Sequence, residues 1–236
     1  MKKSGDVLNI IRLEVTPSTS TYARENAPLL PVPSLIIADK QTAGRGRRGN
    51  RFYSPDNTGL YMTLLFESTN PIPLITPAVA VAVCTVIENN FGIKPKIKWV
   101  NDIFLNGKKI CGILSECFSV NNKKLVAVGI GINLTTTDFP DNLPNAGSLG
   151  IDCDKNKLAS DIAAAVLDYI NTYNDNNIVT EYRNRLFLIG KKIEFTENNV
   201  IYSGTVKDIN EECNLIVELS DKTEKILSSG EISIML

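Results

Sequence analysis

The stretch from Lys96 to Leu134 constrains the fold most. It holds three apolar, β-branched runs, Lys96 to Val100, Lys109 to Glu116 and Leu125 to Leu134, with Asn106-Gly107 between the first two. Asn-Gly favours the tight turn whose twist matches a pair of antiparallel strands. The runs therefore predict an antiparallel meander, which argues for a mixed sheet rather than a doubly wound parallel one. Val7 to Val15, Ser34 to Ala38 and Leu60 to Phe66 read as further strands of that sheet. Between them, Ser and Thr residues at 18–21 offer N-caps to a short helix. After a turn at Asn70-Pro71-Ile72-Pro73, Thr76 and Pro77 open a helix that Gly92 stops, and its apolar run Ala78 to Ile87 predicts burial. Thr135 to Leu149 reads as a polar loop long enough to be functional. Leu158, Ile162, Val166 and Ile170 recur at helical spacing, and a shorter helix is expected over Val179 to Leu188.

After Gly190 the texture changes. Short strands at Ile193 to Phe195, Val200 to Val206, Leu215 to Leu219 and Lys225 to Leu227, with turns at Asn198-Asn199 and Ser220-Asp221, suggest a small barrel. The expected class is α+β, with a mixed-sheet unit over 1–189 and a small β unit over 190–236.

Composition removes whole classes of function. The chain has 236 residues, 25 basic against 26 acidic, a net charge of -1 and no histidine. A near-neutral balance opposes a general polyanion binder, because counterion release needs surplus Lys and Arg, so any basic site must be local. Without histidine, Ser-His-Asp and Cys-His nucleophiles, HExxH zinc sites and the kinase HRD loop are excluded. Cys84, Cys111, Cys117, Cys153 and Cys213 are odd in number and lack CxxC spacing, so reduced, mostly buried thiols are expected. The N-terminus lacks the apolar stretch of a signal peptide, and no apolar run is long enough to cross a bilayer. A cytoplasmic protein with no membrane partner is expected.

Gly44-Arg45-Gly46-Arg47-Arg48-Gly49 fits GxGxxG in form only. A dinucleotide fingerprint needs a helix directly after the glycines, whereas an irregular stretch and then a strand follow. What remains is an irregular, mobile basic loop carrying Arg45, Arg47, Arg48 and Arg51, able to close over an anion or simply to stand in solvent. In Lys98-Trp99-Val100-Asn101-Asp102, read as one strand, Lys98, Val100 and Asp102 share a face. Lys98 could neutralise a phosphate or carboxylate, or merely snorkel; Asp102 could hold magnesium with Asn101, or merely end the strand. Gly112-Ile113-Leu114-Ser115-Glu116 and Gly129-Ile130-Gly131-Ile132-Asn133-Leu134 put glycine on buried strands, marking either a ligand against backbone or close packing of a helix. Ser18 and Thr19 could serve that cavity, or only cap a helix.

In their order, STST, QTAGRGRRG, KWVND, GILSE, GIGINL and a late GEIS resemble a biotin protein ligase over nearly the whole chain. The resemblance implies a catalytic domain related to class II aminoacyl-tRNA synthetases, followed by an SH3-like barrel. It implies ATP-dependent formation of biotinyl-5'-AMP with Mg2+, then transfer to a lysine of a biotin carboxyl carrier protein. Carried over position by position, Ser18, Thr19, Ser20 and Gln41 meet biotin, and Gly44, Arg45, Gly46 and Arg47 close over the intermediate. Lys98 meets the biotin carboxylate and the α-phosphate, and Gly112, Ile113 and Leu114 flank biotin. Arg45, Arg47, Arg48, Lys98, Asn101, Gly131, Asn133, Ala146 and Ser148 meet the nucleotide, and Asp102 is the candidate magnesium ligand. Arg45, Arg47 and Lys98 are the catalytic candidates. Ser20 stands where the family commonly has asparagine, and Val100 where it has proline. The sequence begins at the catalytic unit, so no DNA-binding segment and no nucleic-acid partner are expected; a homodimer through sheet edges is an arrangement known in the family. Three rivals remain: a lipoate ligase, disfavoured by the missing Gly-His motif; a nucleic-acid module, opposed by the net charge and by having only Phe52 and Tyr53 near the loop; and an inactive relative that stores biotin.

Overall fold

The computed structural model describes residues 7–67, 72–171, 175–230 and 232–234. Its larger sheet has seven strands: β1 (Asn9–Thr16), β2 (Ser34–Gln41), β3 (Gly59–Glu67), β4 (Lys96–Lys98), β5 (Asp102–Leu105), β6 (Lys108–Val120) and β7 (Lys123–Asn133). They lie in the order β1-β2-β3-β7-β6-β5-β4, with β1 parallel to β2 and every other pair antiparallel. The sheet is thus mixed, as the meander required. Asn106 and Gly107 take φ of 49° and 77° in the β5–β6 turn, and Asn121 and Asn122 take 50° and 62° between β6 and β7. Positive φ at both central residues gives the turn the twist of its strands, and asparagine tolerates it.

One expectation fails here. Lys96 to Val100 is not a single strand running toward Asn106; the chain reverses at Trp99–Asn101 and makes two strands, β4 and β5, with the Trp99-Val100 peptide cis. Lys98 and Asp102 still share a face, but as cross-strand partners, and Val100 does not join them. Distant groups hold the reversal. Trp99 Nε1 donates to the Cys213 carbonyl at 2.9 Å, Tyr182 donates its hydroxyl to the Val100 carbonyl at 3.0 Å, and Asn101 Nδ2 donates to the Ile113 carbonyl at 2.9 Å. No local pattern reveals such anchors.

The helices divide between the two faces of the sheet. α1 (Thr19–Asn26) lies on one face, where Ala27 packs with Leu65, Leu125 and Ala127. α2 (Ile75–Phe91), α3 (Lys155–Asn171) and α4 (Asp175–Arg185) lie on the other, against Leu60, Met62, Leu64, Val126, Val128, Ile130 and Ile132. α2 is apolar nearly all round because α3 and α4 cover what the sheet does not. Gly92, at φ 69°, stops it as expected. Thr76 is not its cap: Leu74 holds that position, and the Thr76 hydroxyl donates to Ser115 Oγ at 2.9 Å. Of the turn expected at 70–73, Asn70 and Pro71 lie outside the described residues. α4 begins four residues before the expected Val179, and Leu186 leaves it to bridge Ile97 beside β4.

The C-terminal sheet is antiparallel: β8 (Lys192–Glu197), β9 (Val200–Ile209), β10 (Leu215–Leu219), β11 (Glu224–Leu227) and β12 (Ile232–Ile234) in the order β11-β10-β9-β8-β12. β12 was not expected from sequence as a strand. Its core is continuous with that of the larger sheet, and Arg183 ties the two by donating to Asp208 Oδ1 at 2.7 Å and to the Ile209 carbonyl at 3.2 Å.

Two predictions follow from this frame. Tyr182→Phe removes the donor to the Val100 carbonyl at a fully buried site, which should cost about 1–2 kcal/mol and lower Tm by several degrees; an unchanged Tm would contradict the anchoring. Burial pushes the Cys84 and Cys213 thiols up to about 12 and raises Cys111 as well. Thiolate is the reactive form, so iodoacetamide at about pH 8 should reach half-buried Cys117 and Cys153 first, and modification of the other three in the folded protein would contradict their burial.

Candidate active site

Alternation along β7 creates the cavity. Val126, Val128, Ile130 and Ile132 point to the α2 core, while Ala127, Gly129 and Gly131 face α1. On the same face, Gly131 stands between Gly112 of β6 and Tyr61 of β3, and Gly129 between Leu114 and Thr63. Side chains missing from this face leave a hollow of about 290 Å³ floored by backbone. A Cβ at Gly131 would stand 2.5 Å from the Phe52 ring, and one at Gly129 2.4 Å from Ser20 Oγ. Neither glycine has positive φ, so space alone requires glycine at each. Gly131→Val should therefore fold yet lose small-molecule binding by about a hundredfold in titration calorimetry. Retained binding would remove the cavity from consideration.

A chain of hydroxyls and one amide lines one end. Ser20 donates to Thr63 (3.1 Å), Thr63 to Thr19 Oγ1 (2.8 Å) and Thr19 to Gln41 Oε1 (3.2 Å), while the Thr19 backbone N–H reaches the same oxygen at 2.9 Å. Gln41 Nε2 donates to Ser54 Oγ at 2.9 Å, and Ser54 to the Phe52 carbonyl at 3.1 Å. Each hydroxyl is oriented by its neighbour, so the end is preorganised. Ser18 both lines the cavity and caps α1, accepting from the Thr21 N–H at 3.5 Å.

The arginine loop forms the roof. It is more regular than expected: Arg45 and Arg51 form an antiparallel bridge around a short 3₁₀ turn at Arg47–Gly49, with φ of 54° at Arg48. Arg45 donates twice to Glu116, both at 2.8 Å, and Glu116 also lies 3.8 Å from Arg24 of α1. Arg47 donates to Asn101 Oδ1 at 3.0 Å. The far wall carries Lys98, whose Nζ lies 5.8 Å from the Phe104 ring centre, and Lys109, 2.7 Å from Asp102 Oδ1. Gly230, Ile232 and Ser233, around the start of β12, complete the lining. One end is neutral and polar, the other strongly cationic. Such a cavity can hold a neutral hydrogen-bonding head and stabilise phosphate charge beside it.

Residues 13–133 match the Biotin/lipoate A/B protein ligase family and residues 188–235 the Biotin protein ligase C terminal domain. The bifunctional ligase/repressor BirA of Bacillus spizizenii is 33% identical over 94% of this chain and 73% of its own length. The chain belongs to the biotin protein ligase family. A biotin--[acetyl-CoA-carboxylase] ligase of Mycobacterium tuberculosis is 25% identical over 84% of this chain and 77% of its own. Among solved structures, biotin protein ligase from Aquifex aeolicus in complex with biotin and ATP superposes with a TM-score of 0.81 at 23% identity, covering 96% of this chain and 98% of that one. The mixed α+β architecture with a five-stranded C-terminal sheet is that of the family's structures.

Set against the ligase resemblance, the cavity gathers Ser18, Thr19, Ser20, Gln41, Arg45, Gly46, Arg47, Arg48, Lys98, Asn101, Asp102, Gly112, Ile113, Leu114 and Gly131. Gly44 lies behind it, buried where a Cβ would strike the Phe52 carbonyl at 2.5 Å. Asn133, Ala146 and Ser148 are not on the lining. Asn133 Nδ2 donates to the Gly147 carbonyl at 2.9 Å and Ala146 bridges Lys109, so the 134–154 loop is sewn to the end of β7 and the start of β6. Sequence reading missed Ser54, Thr63, Glu116 as the partner of Arg45, and Lys109. Among the described residues no helix is long and apolar enough to cross a membrane.

Proposed function

We propose that this ligase activates biotin with ATP to biotinyl-5'-AMP and pyrophosphate, then transfers the biotinyl group to a lysine of a biotin carboxyl carrier protein in the cytoplasm. The observation that carries the reading is one glycine-floored cavity with a hydroxyl–amide chain at one end, Lys98 at the other, and Arg45 and Arg47 in the roof. Biotin's ureido ring needs donors and acceptors in a fixed order, which Ser18, Thr19, Ser20 and Gln41 supply. Its carboxylate then lies toward Lys98, which holds it and the α-phosphate together while charge builds on the attacked phosphorus. Gly112, Ile113 and Leu114 flank the bicyclic ring, and Gly131 gives the nucleotide close approach to backbone. Asn133 stands behind the floor and, through its hydrogen bond to the Gly147 carbonyl, holds the loop that carries Ala146 and Ser148. Arg45, Gly46 and Arg47 cover the mixed anhydride, which water would otherwise hydrolyse.

Magnesium enters on this reading as part of the nucleotide substrate. Asp102 is the only carboxylate on the wall among the described residues, it is paired with Lys109, and no three metal-ligating side chains cluster among those residues. Such a donor set does not fit a resident octahedral ion. We also read 1–189 as the catalytic domain and 190–236 as an SH3-like domain whose β12 end closes the cavity, and β1, a sheet edge with Ile10 and Val15 exposed, as the edge a homodimer would use. The test is single-turnover labelling: enzyme with biotin and α-labelled ATP should accumulate labelled biotinyl-AMP and discharge it on adding apo carrier protein. Binding of biotin with no adenylate formed would favour the storage relative instead.

A further inference from the structure

The hydroxyl chain at the neutral end has a fixed direction. The Thr19 backbone N–H donates to Gln41 Oε1 at 2.9 Å, which settles the amide: this oxygen can only accept, and Nε2 faces Ser54. The Thr19 hydroxyl also donates to Oε1, so its single proton is committed and Thr19 Oγ1 can only accept from Thr63. Thr63 then has no proton left, and across their 3.1 Å contact Ser20 must be the donor. Protons therefore point one way, from Ser20 through Thr63 and Thr19 to Gln41, with the amide pinned by a backbone donor. Thr63 is fully buried and stands behind the lining, in the cross-strand row Thr63, Gly129 and Leu114. Lys98 ends the next row, which runs Tyr61, Gly131, Gly112, Asp102 and Lys98.

Ser20 is left as an acceptor. Its Oγ lies over Gly129 on the floor, where a Cβ would come within 2.4 Å, and its one proton is committed to Thr63, so what it offers the cavity is lone pairs. Asparagine, common at this position in the family, carries donor and acceptor on separate atoms. A hydroxyl takes its role from its partner instead. We infer that Thr63 is a specificity-determining positioning residue: by accepting the Ser20 proton it turns Ser20 into an obligate acceptor, so that the cavity demands an N–H on the head of its ligand. This rests on biotin being that ligand, as proposed above. A urea meets the demand with one of its two N–H groups, whereas an oxygen in that place would face Ser20 lone pair to lone pair.

Parent, Thr63→Val, Thr63→Ser and Ser20→Ala proteins should be compared by titration calorimetry with biotin and with its two cyclic carbamate analogues, in which oxygen replaces one or the other ureido N–H. KM and kcat should be read in parallel from biotin-dependent ATP–pyrophosphate exchange. The parent should bind one carbamate about a hundredfold more weakly than biotin. Thr63→Val frees the Ser20 proton to turn into the cavity. It should bind biotin about tenfold more weakly, bring that carbamate to within about tenfold of biotin and leave the ratio for the other carbamate unchanged. KM for biotin should rise with kcat within about threefold, because the phosphate end is untouched. Thr63→Ser, which keeps the hydroxyl, should restore the parent ratio. Ser20→Ala, which removes the acceptor, should lose the same ratio and keeps the test standing should the valine variant not fold. No discrimination in the parent, unchanged ratios in Thr63→Val and Ser20→Ala, or affinity lost for all three ligands alike would overturn the inference while leaving the adenylation reading intact. A parent with no affinity for biotin would overturn both.

Discussion

Lys98→Ala should remove most of the adenylation activity while the protein still folds. The residue ends β4, is half-buried beside the Phe104 ring and faces Asp102 across the strand pair, so its loss opens no core cavity. On the proposed reading its charge acts where the carboxylate meets the α-phosphate, two anions that repel until a cation lies between them. Removing one such preorganised group typically costs about a hundredfold to a thousandfold in rate. Biotin-dependent ATP–pyrophosphate exchange should fall by that factor, with Tm within a few degrees of the parent. Exchange within a few-fold of the parent would take the α-phosphate role from Lys98.

Arg45→Gly and Arg47→Gly should act differently, by leaking the intermediate. Arg45 is clamped to Glu116 of β6 by two 2.8 Å hydrogen bonds and Arg47 to Asn101 by one of 3.0 Å, so each arginine pins one side of the roof. Both are partly exposed, which limits each clamp to about 1–2 kcal/mol, or roughly tenfold in the open population. Glycine in place of either also loosens the backbone. Free biotinyl-AMP should therefore appear in solution about tenfold faster, while its formation suffers less than in Lys98→Ala. Release at the parent rate from both variants would show that the loop does not retain the intermediate.

The meander and the texture change near Gly190 were legible because turns and alternation are local: Asn106-Gly107 and Asn198-Asn199 both turn where expected. Gly129 and Gly131 were legible as a gap in an apolar strand, although whether a ligand or a helix faced them needed the third dimension. What stayed hidden depends on distant partners or on irregular backbone. The reversal at Trp99–Asn101 is held by Cys213 and Tyr182, more than eighty residues away in sequence, so the first run reads as one strand. Lys109 sits at a bulge, where strict alternation assigns it to the wrong face. Glu116 reads as an ordinary strand-end acid until Arg45 reaches it across 71 residues. Thr76 has the sequence of a cap, but its hydroxyl finds Ser115 instead.

The most direct test of the account is biotin-dependent ATP–pyrophosphate exchange with purified protein and magnesium, run beside lipoate and octanoate in place of biotin. The account predicts exchange with biotin alone, because the hydroxyl–amide chain at the neutral end fits a ureido ring and neither fatty acid offers one. Exchange with lipoate or octanoate at a comparable rate, or with no acid at all, would contradict it.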